Sequence, residues 1–265
     1  MPVHAVEAEI SYIEPGVRAV FYPTDRSKSH MPMEKHRVRI ESMRPQTDEL
    51  SLDRNGFALL RSPSAVKDFY DPAEIKEVYY PEIQALVKQI TGAAKVLTFG
   101  EVARSDGNRT GDGRLPSYGA HVDYQDRTVR QFAEEMLGKD EAAEWLKRRY
   151  FLINLWRPIT RVERTPLALC DAASVKQGDL AESEIVGGLN DPNRPSMFGF
   201  NLTYNPEHRW YYAPRMEPEE ILAFRLFDSD ASKLQWTGHT AFDDPSAAPD
   251  APPRESIEIR TISFM

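Results

Sequence analysis

The sequence predicts a mainly β protein with accessory helices, arranged as an antiparallel jelly roll, and three observations carry that reading. Twenty prolines punctuate the chain, and the apolar runs between them are short and rich in β-branched and aromatic residues, as strands joined by turns are. Helical spacing is concentrated early, and the long series of strands after it lacks the helical crossovers a parallel sheet needs. Alternation is strongest in the last segment, Arg254-Glu255-Ser256-Ile257-Glu258-Ile259-Arg260, where every second residue shares a face.

In chain order, residues 6–13, 17–22 and 36–42 read as strands, with Gly16 and the Pro23-Thr24-Asp25 turn between them. Residues 64–92 read as helical because Phe69, Ile75, Tyr79, Ile83, Leu86 and Ile90 recur at near-helical spacing, and Asp71-Pro72 is expected to split the stretch into two helices. A strand over 95–102 leads into a polar loop, 105–113, whose glycines are not followed by the Gly-Lys-Ser/Thr of a phosphate cradle. Residues 117–124 read as a strand and 128–149 as a helix with Phe132, Met136 and Leu137 on one face. Further strands are expected at 150–156, 167–170, 197–204, 210–213, 221–227 and 255–264, and 243–253 is a Pro/Ala/Asp loop. The expected organisation is one domain over 1–265, with 1–100 a strand-and-helix support layer and 101–265 the core carrying the helical insert 128–149.

Composition bounds the function. The 265 residues carry a formal net charge of -8, and such a surface repels phosphate backbones, so no nucleic-acid partner is expected. The single cysteine, Cys170, excludes an internal disulfide framework and a Cys-rich zinc module and suits a reducing compartment. No leader pattern opens the chain and no apolar run approaches a membrane span, so a cytoplasmic protein without a membrane partner is expected.

His121-Val122-Asp123 places two ligand-type side chains at i and i+2, on one face of a strand. A His-x-Asp alone is a weak signal, since it is equally a polar turn or a surface pair. His208, in an Asn-Pro-Glu-His turn, and His239, in Thr-Gly-His-Thr-Ala-Phe, compete to be the third ligand. The alternating segment downstream favours His239: it puts Arg254, Ser256 and Arg260 on one face, and a guanidinium fork with a hydroxyl suits a dicarboxylate. Taken alone, those arginines would be a solvated exterior; in chain order with His-x-Asp and His239, they complete a pattern. Two imidazoles and one carboxylate on one face of an octahedron form the facial triad of non-haem iron(II) oxygenases.

Taken in this order, the residues resemble a known group. His-x-Asp, a distant His and then Arg-x-Ser is the order of iron(II)/2-oxoglutarate oxygenases, and the Arg-x-Ser-x-x-x-Arg spacing is similar to that of AlkB-type demethylases. Segments 153–159, 166–171, 210–216 and 239–260 resemble the CmcJ/NvfI-like oxidoreductases. The resemblance implies a distorted double-stranded β-helix (cupin-like), with iron(II), 2-oxoglutarate and molecular oxygen acting on a small-molecule substrate in specialised metabolism. The outcome could be hydroxylation, desaturation, ring closure or endoperoxide formation. His121, Asp123 and His239 would hold the metal. Arg254 and Ser256 would take the distal carboxylate, with Arg260 nearer the metal. Tyr118 and Tyr204 are candidate phenol donors to the co-substrate, and Asn154 and Arg157, on a neighbouring strand, are candidate substrate contacts. An oxidase of the isopenicillin N synthase type, which uses no 2-oxoglutarate, a demethylase of alkylated nucleic acid, which should show a basic groove that this acidic chain does not advertise, and a non-catalytic jelly-roll binding module are the alternatives. Oligomeric state is not legible.

Overall fold

The computed structural model describes residues 5–107, 114–188 and 191–265. Fourteen strands form two sheets. The larger runs β1(Ala5–Ile13), β3(Met33–Ser42), β11(Trp210–Tyr212), β8(Leu167–Cys170), β13(His239–Ala241), β6(His121–Val122), β10(Met197–Leu202), β9(Leu180–Ile185), β2(Ala19–Phe21). The smaller runs β4(Phe57–Arg61), β12(Glu220–Asp228), β7(Tyr150–Pro158), β14(Glu255–Phe264), β5(Lys95–Ser105). Pairing is antiparallel except for β11 with β3 and β2 with β9. The large sheet curls far enough that the Ala120 amide, just before β6, donates to the Ser11 carbonyl of the distant strand β1. Among the described residues no helix is long and apolar enough to cross a membrane.

Strand β7 explains the layering. All nine of its residues are buried, because both faces are covered. Tyr150, Leu152 and Trp156 pack into the core between the sheets, with Leu169, Trp210, Phe224 and Phe264. Phe151, Ile153 and Leu155 point the other way, onto Ile75, Tyr79, Ile83 and Val87 of a helical layer. That layer comprises α1(Pro72–Glu74), a π turn over Ile75–Tyr79 and α2(Tyr80–Thr91). Pro81 accounts for the π turn: it has no N–H to donate and its ring crowds the carbonyl four residues back, so the preceding turn widens.

Several boundaries differ from those the sequence suggests. The 64–92 stretch is not two helices split at Asp71-Pro72. Helix begins there, with the Asp71 carboxylate accepting from the Ala73 amide at 2.9 Å and Pro72 in the first turn. The helical insert is shorter than 128–149 and broken: α3(Asp126–Leu137) and α4(Lys139–Trp145) meet at Gly138, whose φ of 80° leaves the helical region. The 117–124 strand contracts to His121–Val122 because Gly119 and Tyr124, at φ of 121° and 49°, turn the backbone out of the ladder on either side. Strands β4 and β9 were not expected. The first hundred residues, expected as a support layer, are hydrogen-bonded into both sheets through β1, β2, β3, β4 and β5.

Candidate metal centre and active-site cavity

His121 on β6 and His239 on β13 are direct cross-strand partners, so their rings lie together, with centroids 4.2 Å apart. Asp123, two residues along, brings its carboxylate to the same point. One ligand atom from each of the three residues lies within 4.8 Å of the others. Each imidazole is oriented by a carbonyl: His121 Nδ1 lies 2.8 Å from Gly119 O and His239 Nδ1 lies 3.4 Å from Thr237 O. A carbonyl only accepts, so Nδ1 carries a proton in each ring and the Nε2 atoms face Asp123, at 3.8 and 3.9 Å. Burial, with the neighbouring His121 second, pushes the His239 pKa down to about 3, so that ring stays neutral.

Burial alone would raise the Asp123 pKa, but Arg260 and then the two histidines hold it well below the usual carboxylate range. Oδ2 of Asp123 accepts from Asn154 Nδ2 at 2.9 Å and from Arg260 Nε at 3.3 Å. Arg260 is itself fixed by Glu258, at 2.8 Å, and by the Gly100 carbonyl, at 2.7 Å. Gly100 adopts a φ of 62° where β5 bulges against β14. Gly199 on β10 lets that strand pass close above the Asp123 turn, since a Cβ there would stand 2.7 Å from Val122 O. Two imidazoles and a fixed anionic carboxylate, without a thiolate, fit iron(II) by the chemistry of the donor set.

A cavity of about 840 Å³ opens over His121, Asp123, Tyr124 and Arg260. Its wall includes Phe21, Met31, Met33, Arg104, Arg114, Leu115 and Phe200. The segment from β2 to β3 therefore covers the site, which sequence reasoning missed. The helical insert does not: α3 and α4 contribute no cavity-lining residue, and α3 instead packs Phe132 on Phe99 and Tyr124. Of the 105–113 loop, residues 108–113 lie outside the described residues. Asn201, the cross-strand partner of His121, was also missed; it lines the cavity and its Oδ1 is buried without a partner.

The other expected site residues divide. Asn154 reaches Asp123, but Arg157 does not come to the site. It points through the opposite face of β7, where Nε donates to Tyr79 Oη at 3.1 Å and the guanidinium also donates to the Pro218 and Ser62 carbonyls. Strand alternation decides this, since Asn154 and Arg157 are three apart. Tyr204 is also elsewhere, stacked on His36 with centroids 3.7 Å apart. His208 is bonded to Asp179 at 3.2 Å, away from the triad. Tyr118 lines the cavity, but its hydroxyl donates to Asp243 at 2.7 Å. Arg254 and Ser256 are almost wholly buried. Arg254 donates from Nη1 to Thr165 O at 2.8 Å and lies over the Trp156 ring, while its Nε and the Ser256 Oγ have no partner.

A family model described as oxidoreductase/YMDC permease-like domain (YDMC) matches residues 10–264. The hydroxylase/desaturase efuI of Hormonema carpetanum is 32% identical over 248 residues, covering 86% of this chain and 83% of that protein. The Fe(II)/2-oxoglutarate-dependent dioxygenase nvfI of Aspergillus novofumigatus is 27% identical over 271 residues, covering 97% and 96%. The solved structure of the iron and alpha-ketoglutarate-dependent endoperoxidase NvfI superposes with a TM-score of 0.88 at 26% identity, covering 98% of each chain. With two imidazoles and a carboxylate converging at the centre of the same jelly roll, the chain belongs to the oxidoreductase/YMDC permease-like family and is an Fe(II)/2-oxoglutarate-dependent dioxygenase.

Proposed function

We propose that His121, Asp123 and His239 hold the iron and that Arg254 and Ser256 receive the distal carboxylate of 2-oxoglutarate. The convergence of the three side chains, each with its outer nitrogen or oxygen already engaged, is the observation that carries the first assignment. The second rests on Arg254 Nε and Ser256 Oγ, two buried donors without partners on alternate residues of one strand face. Buried polar groups are otherwise almost always satisfied, so such a pair points to an acceptor that arrives from outside.

Bound iron(II) supplies oxygen activation coupled to oxidative decarboxylation of 2-oxoglutarate to succinate and carbon dioxide. The chain's own residues orient and shield that chemistry. Asn154 and Arg260 hold Oδ2 of Asp123, which leaves Oδ1 free to coordinate and fixes the carboxylate plane. Gly119 and Thr237 fix the imidazole tautomers. The cavity receives a small organic molecule, oxidised by hydroxylation, desaturation, ring closure or endoperoxide formation in specialised metabolism; relatives named as hydroxylase/desaturases and an endoperoxidase support that range. A cytoplasmic setting is part of the proposal, supported by the free thiol of buried Cys170.

Anaerobic titration with iron(II) and then 2-oxoglutarate tests the assignment, followed by a succinate-release screen over candidate substrates. The expected result is 2-oxoglutarate binding that requires iron, and succinate formed only with both. Oxygen consumption without succinate would replace the reading with an oxidase that uses no 2-oxoglutarate.

A further inference from the structure

The charge on the cavity wall does not match the charge of the chain. The protein carries a net -8, yet among the described residues four arginines line the cavity, Arg26, Arg104, Arg114 and Arg260, against two carboxylates, Asp123 and Glu184. Both carboxylates are already engaged: Asp123 by Arg260 at 3.3 Å and Glu184 by Arg18 at 2.8 Å. Arg260 is likewise consumed by Asp123 and Glu258. Arg104 is different. Its Nη1 donates to the Leu115 carbonyl at 2.9 Å, and among the described residues no carboxylate lies within ion-pair distance of it. Burial lowers its pKa; Glu258 attracts its charge from beyond ion-pair distance, Arg260 repels it, and Asp123 and Arg114 act in the same two senses more weakly. A half-buried guanidinium on a cavity wall, with one carbonyl and no carboxylate in ion-pair contact, is poorly solvated and has donors to spare, and an incoming anion relieves both.

Arg104 stands directly across the β5–β14 ladder from Ser256, next to the co-substrate donors. Val102 and Arg104 alternate on β5 and both line the open cavity, whereas Arg254 and Ser256 are buried and do not line it, so Arg104 is the donor of this group that opens onto the cavity. Gly100, whose carbonyl holds Arg260 beside Asp123, is four residues back along β5, roughly 13 Å for an extended strand. The same cavity wall carries the apolar side chains of Met31, Met33, Leu115 and Phe200.

We infer that Arg104 anchors an anionic group, a carboxylate or its equivalent, on an otherwise apolar substrate, so that the body of the molecule lies along the cavity towards His121 and Asp123. The inference rests on the cavity being the substrate site of the proposed oxygenase. It gives the substrate class as an amphiphilic organic acid, bound by one charged contact and by apolar surface, and it makes Arg104 a determinant of specificity.

The test uses two fluorescent probes of similar apolar shape: 8-anilinonaphthalene-1-sulfonate, which is anionic, and N-phenyl-1-naphthylamine, which is neutral. Both are titrated into the full-length iron-loaded protein under anaerobic conditions, alone and in competition, for wild type, Arg104→Met and Arg104→Lys. Mutual displacement in wild type is expected, because one cavity takes both. Arg104→Met should weaken the anionic probe at least about tenfold, the worth of a charge-assisted contact. It should leave the neutral probe within about twofold, and Arg104→Lys should recover part of the loss. Equal loss of both probes, failure of the probes to compete, or no loss of the anionic probe would each overturn the inference. So would a tenfold loss of 2-oxoglutarate affinity in Arg104→Met with anionic-probe affinity intact, which would assign Arg104 to the co-substrate. If wild type binds both probes competitively but fails to bind 2-oxoglutarate with iron, the oxygenase reading fails and the anion site stands.

Discussion

Arg260, inside β14, and Arg254, just before it, are both buried guanidiniums on the inner side of the small sheet, but their surroundings are opposite. Arg260 is enclosed by acceptors: Asp123 at 3.3 Å, Glu258 at 2.8 Å and the Gly100 carbonyl at 2.7 Å. Arg254 has one carbonyl, from Thr165, an aromatic face at Trp156 and an Nε with nothing to donate to. Burial and the nearby Arg104 lower the Arg254 pKa to about 10, whereas Arg260 is held above its ordinary value despite burial, because Tyr124, Asp123 and Glu258 favour the charged form. A buried charge without its counter-ion is costly. On the assignment proposed above, the difference separates an arginine that builds the centre from one held ready for a ligand.

The largest effect should come from removing the carboxylate that Arg260 holds. Asp123→Ala takes away the only carboxylate among the three converging side chains and should abolish succinate formation, a loss well beyond the ten- to hundred-fold typical of supporting residues. Two imidazoles remain, so weak iron binding should persist. Calorimetric iron titration beside a succinate assay checks this, and turnover near wild type in that variant would remove Asp123 from the centre.

Next in size is Arg260→Met, which leaves Asp123 and Glu258 buried and unpaired. Breaking a buried pair from one side costs about 3 to 5 kcal/mol, a fall of roughly 6 to 20 °C in melting temperature for a chain of this size. The comparison sharpens if iron(II) is then added. It neutralises Asp123, so iron should raise the melting temperature of the variant more than that of wild type. An equal rise in both would show that Arg260 does not compensate the metal carboxylate.

Arg254→Ala should behave differently: little change in iron affinity, but a rise of about ten- to over a hundred-fold in the 2-oxoglutarate needed, from a charged hydrogen bond worth about 1.5 to 3 kcal/mol. Arg254→Lys should recover only part, since a point charge lacks the fork. Unchanged co-substrate affinity in both variants would make Arg254 a packing residue against Trp156.

The same contrast explains what could be read from the residues. His121, Asp123 and His239 were legible because ligand-type side chains at i and i+2, a distant His and an Arg-Ser-Arg face leave few other uses for that order. The Arg260 environment was half legible, through alternation on β14. Arg157 was assigned to the site because β7 reads as one polar-bearing strand. With both faces buried, hydrophobic alternation carries no sign of which face is inward, and only the partners Asp123 and Tyr79 decide it. Strand β9 was invisible because Leu-Ala-Glu-Ser-Glu-Ile is half-buried throughout and shows no apolar face. The cavity wall from Phe21 to Met33 was illegible for a different reason: it is placed by pairing of β2 with β9 and of β1 with β3, and local sequence does not encode such long-range registers.

The smallest effect lies on β7, where Asn154 can be set against Ser256. Asn154 donates to Asp123 at 2.9 Å, and among the described residues neither its buried Oδ1 nor Ser256 Oγ has a partner. If Asn154 orients the metal carboxylate, Asn154→Ala should weaken iron binding about tenfold, the low end for a supporting hydrogen bond, and 2-oxoglutarate affinity should fall only as iron occupancy falls. Ser256→Ala should do the reverse, weakening 2-oxoglutarate severalfold at saturating iron while leaving iron affinity unchanged, because a neutral hydrogen bond is worth about 1 kcal/mol. The measurement is a pair of anaerobic titrations, iron alone and then 2-oxoglutarate at saturating iron, on both variants. If Asn154→Ala lowers 2-oxoglutarate affinity at full iron occupancy, its orphan Oδ1 belongs to the co-substrate site, and the division between the two ends of β14 extends one strand further, onto β7.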